Sequence, residues 1–485
     1  MDGLARRFPP GFAWGAATAA YQIEGAHALN GRTPSIWDTF SHAPGKTLNG
    51  ETGDVACDHY RRWEADLDLM CDLGLRAYRF SVSWPRVQPD GSGRPNPRGL
   101  DFYDRLVDGL LERGIEPWLT LYHWDLPQPI EDRGGWLDPE VVGRFADYAA
   151  IVGRRLGSRV KGWITLNEAR TFTMMGYGTG RHAPGRVGWS GALRAAHHAH
   201  LAHAAATQAL RAEVPVARIG IAHDIAHLEP GSPREEDAAA VVRYDGAMHR
   251  WFLDPTFGRG YPADLVGWYG ALGMLDGLDM AAVDGFPPID FLGLNYYRRE
   301  RVVATPPDAG WGIGARALEG FGEVTAVGWE IHPEGLRTTL GRIARDYAPT
   351  AIAVTENGAT FADTVAAGGA VEDPQRLQYL AEHIGAAADA IGDGVPLIGY
   401  FAWSLLDNFE WALGYGTRFG IVHVDFETQR RTVKDSGRWY RELLSVRQAG
   451  ASGFAARKDL RRCEPHGDDE ESGHGSARQR EQRVR

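Results

Sequence analysis

Cysteine is scarce. Three residues, Cys57, Cys71 and Cys463, occur in a chain of 485, too few for a disulfide framework and without the paired spacing of a zinc site. That usage argues for a reducing compartment. Nothing approaches the roughly 18 uncharged apolar residues of a membrane span, and the opening MDGLARRFPPGFAWG carries no apolar run of secretory type, so a cytoplasmic location is expected. An excess of positive charge is also missing. The formal net charge is −11 and the pI about 5.9, a sign that repels phosphate backbones and anionic lipid. Nucleic acid and membrane surfaces are therefore not expected as partners, and a neutral or cationic small molecule fits better. No G-x-G-x-x-G opens the first helix and no second domain follows, which speaks against an open, doubly wound dinucleotide-binding sheet.

What is present is an ordinary globular composition, 44 % hydrophobic and 24 % charged, with enough apolar residues for a large core. Eight short apolar runs recur: FAWGAAT (12–18), RAYRFSVSW (76–84), EPWLTLYHW (116–124), KGWITLNE (161–168), RIGIAHD (218–224), DFLGLNYY (290–297), AIAVTENG (351–358) and LIGYFAWSL (397–405). Longer segments of helical period separate them. In DFYDRLVDGLLERG (101–114), Phe102, Leu106 and Leu110 share one face and Gly114 marks the stop. Strand-then-helix eight times over predicts an α/β fold, a single (β/α)₈ TIM barrel with long βα loops over residues 1–448. From 449 to 485 the composition turns to Gly, Ser and nearly balanced charges, which reads as a disordered tail without chemistry of its own.

In such barrels function gathers at the C-terminal ends of the strands. There the sequence becomes polar: Gln22 and Glu24 after the first run, His123, Trp124 and Asp125 after the third, Asn167 and Glu168 after the fourth. Asn295 and Tyr297 close the sixth, Glu356 and Asn357 the seventh and Trp403 the eighth, with Glu410 and Trp411 just beyond. Glu168 and Glu356 form a pair of carboxyls, each at the end of an apolar strand. Cleavage of a glycosidic acetal needs a proton for the leaving oxygen and a negative charge beneath the anomeric carbon, and one neutral and one ionised carboxyl supply both. Gln22, His123, Asn167 and Glu410 are directional hydrogen-bonders suited to vicinal hydroxyls, while Trp403 and Trp411 offer faces for a sugar ring. No metal or cofactor is called for.

These residues lie in motifs that resemble glycoside hydrolase family one, a (β/α)₈ family of retaining enzymes that includes β-glucosidases. FAWGAATAAYQIEGA (12–26) is similar to its N-terminal signature, ITLNE (164–168) to its acid/base motif and VTENG (354–358) to its nucleophile motif. The resemblance spans about Phe8 to residue 446. It implies that Glu356 is the nucleophile and Glu168 the general acid/base, with Arg79 and Tyr297 beside the nucleophile. It further implies that Gln22, His123, Asn167 and Asn295 belong to the substrate site, that Trp403, Glu410 and Trp411 line the sugar, and that Trp329 flanks the aglycone. The implied activity is hydrolysis of terminal β-D-glucosyl residues, with galactosyl and fucosyl open, from a small glycoside or disaccharide. A transglycosylase, a 6-phospho-β-glycosidase and a non-catalytic sugar-binding barrel are the alternatives on the same fold; assembly as a homo-oligomer is left open.

Two positions depart from the family pattern. Ala169 follows the acid/base where proline is usual, which removes a backbone restraint. His223 and Asp224 end the fifth run where an asparagine is common, and an ionised Asp224 near Glu168 would raise the pKa of that acid. Near the position of Glu410, relatives that cleave phosphorylated disaccharides carry serine with nearby lysine and tyrosine, and the charge of a glutamate there would repel a phosphate. Three further clusters are expected to be structural. The histidines 197, 198, 200 and 203 lie in an Ala-rich helical stretch, His223 and His227 lack the glutamate of a zinc-protease motif, and Asp66, Asp68 and Asp72 read as a solvated helix face.

Overall fold

The computed structural model describes residues 2–306 and 312–451. Each of the eight apolar runs forms a strand. These are β1 (Ala13–Ala17), β2 (Ala77–Ser81), β3 (Glu116–Tyr122), β4 (Gly162–Asn167), β5 (Ile219–Asp224), β6 (Phe291–Asn295), β7 (Ile352–Asn357) and β8 (Leu397–Trp403). All neighbours pair in parallel and the order β1-β8-β7-β6-β5-β4-β3-β2 closes on itself. A parallel strand needs a long crossover, and helices outside the sheet supply it. The helix after β2, Pro97–Glu112, shows how sequence writes one. Pro97 takes the first turn, where its missing N–H costs nothing, the Asn96 side chain accepts from the Arg98 N–H, and Phe102, Leu106 and Leu110 are buried. The last helix, Asp435–Ala451, runs past the boundary expected at 448, and the rest of the expected tail lies outside the described residues. Among the described residues no helix is long and apolar enough to cross a membrane.

The barrel interior is filled with side chains. Trp118 of β3 packs against Phe291 of β6 and Phe401 of β8, with both ring centroids 5.2 Å from its own. Glycines on adjacent strands make the room: a Cβ on Gly162 would stand 2.5 Å from Trp118 and one on Gly15 2.6 Å from Phe401. Arg79 is in register with Trp118, and Thr120, two residues along and on the same face of β3, accepts from Arg79 Nε at 3.2 Å. An aromatic floor thus sets the height at which the polar layer begins.

One expected surface is interior. Asp66 is buried; it accepts from His59 at 2.8 Å and from Arg431 at 2.9 Å, whereas Asp68 and Asp72 are exposed. Period alone cannot separate a solvated acid from one whose partner arrives from the far end of the chain. A second buried ionic cluster joins segments that follow β7 and β8. Lys434 Nζ donates to Asp407 at 2.7 Å and to Asp363 at 2.6 Å, while Arg376 donates to Asp363 at 2.8 Å and to Asp373 at 2.6 Å. Burial opposes charge on Asp407, yet Lys434, Arg418 and Arg376 hold its carboxyl below the usual range.

Lys434→Met should leave two buried carboxylates short of a cation and cost about 3–5 kcal/mol, a fall in Tm of about 3–5 °C for a chain of this size. Because the folded pKa of Asp407 is depressed, its contribution holds above the unfolded carboxylate value and fades as pH falls. The acid-unfolding midpoint of the variant should therefore lie at higher pH than that of the parent, as followed by circular dichroism. An unchanged Tm would show that the cluster does not stabilise the fold.

Candidate active site

Arg79, at the third position of β2, is fully buried and reaches three other strands. Its Nε donates to Thr120, Nη1 to the Thr355 carbonyl at 3.1 Å and to Glu356 Oε1 at 2.5 Å, and Nη2 to Asn167 Oδ1 at 2.6 Å. The second oxygen of Glu356 accepts from the Tyr297 hydroxyl at 2.6 Å. Glu356 thus receives a guanidinium and a phenol, both of which favour its charged form. Burial is still the larger influence. It raises the Glu356 carboxyl, with the Glu168 charge adding to it and Arg79 and Tyr297 opposing, to about 7.

Glu168 follows β4 in a left-handed conformation, φ 51°, which turns its side chain from the strand into the barrel mouth. Its own N–H donates to the Ala222 carbonyl at 2.8 Å, and the Phe172 N–H returns to its carbonyl at 3.2 Å. Trp124 Nε1 holds the preceding carbonyl, that of Asn167, at 2.9 Å. These bonds fix the backbone that Ala169, now the first residue of a short helix (Ala169–Thr173), leaves without a proline. The Glu168 carboxyl accepts from Asn295 Nδ2 at 2.7 Å, an amide rather than a cation. Asn295 also donates to Asn167 at 3.1 Å and accepts from Thr355 at 2.7 Å. The chain Glu168–Asn295–Asn167–Arg79–Glu356 joins the two carboxyls through side chains of β2, β4, β6 and β7.

With Asn167 Oδ1 occupied by two donors, its amide nitrogen must face His123, and Nδ2 donates to His123 Nε2 at 3.0 Å. The His123 proton therefore sits on Nδ1. Burial, reinforced by Arg79, depresses this imidazole well below its usual range and keeps it neutral. Gln22 spends its amide N–H groups on Asn408 at 2.9 Å, the Phe409 carbonyl at 3.0 Å and Glu410 at 3.2 Å. Gln22 Oε1 and His123 Nδ1 are among the buried polar atoms that meet no partner within the described residues. One is an acceptor and the other a donor, a combination that a hydroxyl satisfies. Glu410 is pushed up to about 8, first by burial and then by the Glu356 charge, with Gln22 opposing.

Trp403 and Trp411 face this layer, their rings 5.8 and 5.9 Å from the His123 ring and within 22° of parallel to it. Trp411 is wedged against Trp37 and Trp124, each 4.6 Å away. Trp329 stands at the opposite edge, half-buried, 5.3 Å from the Tyr297 ring with the Arg298 guanidinium 4.9 Å over its face. Each site residue that the resemblance implies thus has a hydrogen bond or ring contact to another of the set. Three polar strand ends belong elsewhere. Glu24 pairs with Arg86 at 2.9 Å and accepts from Tyr103 at 2.6 Å. Asn357 is bonded to Tyr296, Tyr379 and Tyr400 behind β7. Asp125 is fully buried, and desolvation holds its carboxyl well above the usual range against the opposing charge of Arg32.

The structure also gives the two departing residues of β5 their partners and adds Arg170, Arg298 and Glu300, which strand ends did not point to. Asp224 lies in register with Asn295, ion-paired to Arg170 and 3.9 Å from Arg298, while His223 turns to Thr256 at 3.0 Å. The charge expected to bear on Glu168 is thus answered by two guanidiniums. Glu300 pairs with Arg298 at 2.5 Å; although burial opposes it, Arg298 and Arg170 hold it below the usual range. The only sequence signal was the NYYRRER run following β6. The histidines of the helix Trp189–Glu213 are buried and bonded, His198 to the Trp136 carbonyl at 2.8 Å and His203 to Thr165 at 2.7 Å.

The sequence model of Glycosyl hydrolase family 1 matches residues 4–449. The chain is 47 % identical over 446 residues to Beta-glucosidase A of Thermotoga maritima, covering 90 % of this chain and 98 % of that protein. It is 46 % identical over 463 residues to the Bifunctional beta-D-glucosidase/beta-D-fucosidase of Bifidobacterium breve, covering 91 % and 99 %. Among solved structures, the Thermotoga maritima beta-glucosidase in complex with glucoimidazole superposes with a TM-score of 0.86 at 47 % identity, covering 90 % of this chain and 99 % of that one.

Removing a donor that favours the charged form raises a carboxyl's pKa. In Tyr297→Phe the midpoint of Glu356 should accordingly move above its value of about 7, and carboxyl-labelled glutamate NMR would follow it. A midpoint that stays or falls would mean that the phenol does not hold the charge on Glu356.

Proposed function

Because the chain belongs to glycosyl hydrolase family 1, we propose that it is a retaining β-glucosidase releasing terminal β-D-glucosyl residues through a covalent glycosyl-enzyme, with Glu356 as nucleophile and Glu168 as acid/base. One observation carries the assignment of roles. Of the two carboxyls in the pocket, Glu356 is the one given a guanidinium and a phenol, and Glu168 is given an amide. Charge is favoured on the first and a transferable proton is compatible with the second.

In the first step the Glu356 carboxylate attacks the anomeric carbon as Glu168 protonates the departing oxygen. Bond formation neutralises Glu356, and the proton transfer leaves Glu168 as the carboxylate. The same Glu168 carboxylate then takes a proton from the water that releases the sugar, and Glu356 leaves as the carboxylate that Arg79 and Tyr297 receive. Gln22 Oε1 and His123 Nδ1–H would take ring hydroxyls, and Asn167, already oriented by Arg79, stands where it can meet the hydroxyl next to the reacting carbon. Trp403 and Trp411 would pack on the ring, and Trp329 on the aglycone.

Glu410 bears on the substrate class differently from its expected charge repulsion. At pH 7 a carboxyl raised to about 8 is mostly protonated, and it can both donate to and accept from a sugar hydroxyl. What disfavours a phosphate at this end is the lack of cations: among the described residues, Glu410 has Gln22 as its side-chain partner, and no lysine or arginine is among the groups that act on its carboxyl. Unphosphorylated glucosides follow. The Bifidobacterium breve relative is named a beta-D-fucosidase as well, which extends the expectation to β-fucosides, sugars that lack the 6-hydroxyl.

A 2-deoxy-2-fluoro glucoside should trap the intermediate on the peptide containing Glu356; label on another residue, or an inverted anomer as first product, overturns the assignment. Glu168→Ala should lose about 10³-fold on cellobiose, but far less in the glycosylation step of a dinitrophenyl glucoside whose leaving group needs no proton. Azide should restore turnover of the latter as the β-glycosyl azide. Equal losses on both substrates would remove Glu168 from the role.

A further inference from the structure

Outside the barrel mouth, the described residues contain a single group of three potential metal donors whose ligand atoms lie within 4.8 Å of one another: His227, Glu229 and His332. We propose that these three side chains form a binding site for a borderline divalent transition ion of the zinc class. His227 and Glu229 alternate on a short outer strand, His227–Pro230, so both project from one face. His227 Nε2 stands 3.3 Å from Glu229 Oε1, close to the separation of two ligands on one tetrahedral zinc. His332 comes from a different element. It immediately precedes the helix Pro333–Tyr347, and its ring lies 5.4 Å from that of His227 at 32°. Its carbonyl is held by the Tyr296 hydroxyl at 2.7 Å, which fixes the backbone from which the ring projects.

Two imidazoles and one carboxylate suit zinc, nickel or copper rather than magnesium or calcium, which prefer all-oxygen shells. The triad is half-buried, and His227 also lines a cavity of about 270 Å³ between the helices Glu235–Asp245 and Pro333–Tyr347, which offers an approach and space for a water ligand. Arg299 is the competitor. Its Nη1 lies 3.3 Å from both Glu229 oxygens, but Nη2 is already bound to Glu330, so the guanidinium has a carboxylate to keep when the ion takes Glu229. That competition places the affinity well below that of a structural zinc site. The consequence is mechanical: the ion would tie the outer strand after β5 to the segment that carries Trp329, three residues before His332.

The test is calorimetric titration of the whole chain with zinc chloride, together with Tm in zinc and in magnesium. Zinc at about 100 times its dissociation constant should raise Tm by about 3 °C, and magnesium should not. His332→Phe and His227→Phe should each abolish both the heat and the shift, with each variant's own Tm in chelator reporting its folding. His42→Ala, at an exposed His–Asp pair that supplies the obvious alternative, should retain them. Cobalt(II) should give a d–d absorption band in the parent that is lost in His332→Phe. A zinc response that survives both phenylalanine variants, or no response in the parent, overturns the proposal.

Discussion

A fully buried guanidinium governs the mouth of this barrel. Arg79 touches β3 through Thr120, β4 through Asn167 and β7 through Thr355 and Glu356. An uncompensated cation at that depth would cost several kcal/mol, so every N–H must find an acceptor and at least one acceptor must carry charge. Glu356 meets that demand, and the same pairing prepares it to act as a carboxylate. Asn167 meets another part, and in doing so has its amide turned toward His123, which fixes that ring's proton on Nδ1. The orientation of three polar side chains is thus a consequence of solvating one arginine without water.

The aromatic floor matters for the same reason. Trp118, Phe291 and Phe401 exclude solvent from beneath Arg79, and the glycines beside them allow rings of that size inside eight strands. A smaller floor would admit water, raise the local dielectric and weaken each interaction above it.

Much of this was legible in the residues. Parallel barrel strands are buried on both faces and so read as continuous apolar runs, and a polar residue ending such a run stands out. The criterion found Glu168, Glu356, Gln22, His123 and Asn295 without knowing their partners. It also collected Glu24, Asp125 and Asn357, because a strand end has two faces and sequence does not say which faces the axis. Asp66 failed for a related reason: its partner Arg431 belongs to the last part of the chain and reaches it only because closure puts β8 beside β1. Closure likewise carries Glu410 to Gln22. The outer sheet after β5, which pairs His227–Pro230 with Arg299–Ala304 and the latter with Ala315–Leu318, has mixed polarity and no strong period, and was not foreseen.

The two ends of the pocket are built on different physics. Where the sugar would lie, Gln22, His123, Asn167, Glu410, Trp403 and Trp411 are held by backbone carbonyls, amides and packed rings from β1, β3, β4 and β8 and their loops. None of those supports can be altered without repacking the barrel. On the side of Trp329, order comes from ions: Arg170, Asp224, Arg298 and Glu300 neutralise one another in pairs, and Arg298 covers the indole. Ion pairs can be exchanged for others of the same net charge with little effect on packing. On the proposed assignment, the sugar end is therefore constrained by the fold itself and the aglycone end by a local balance of charge, so changes in leaving-group preference can arise there without disturbing the carboxyl pair.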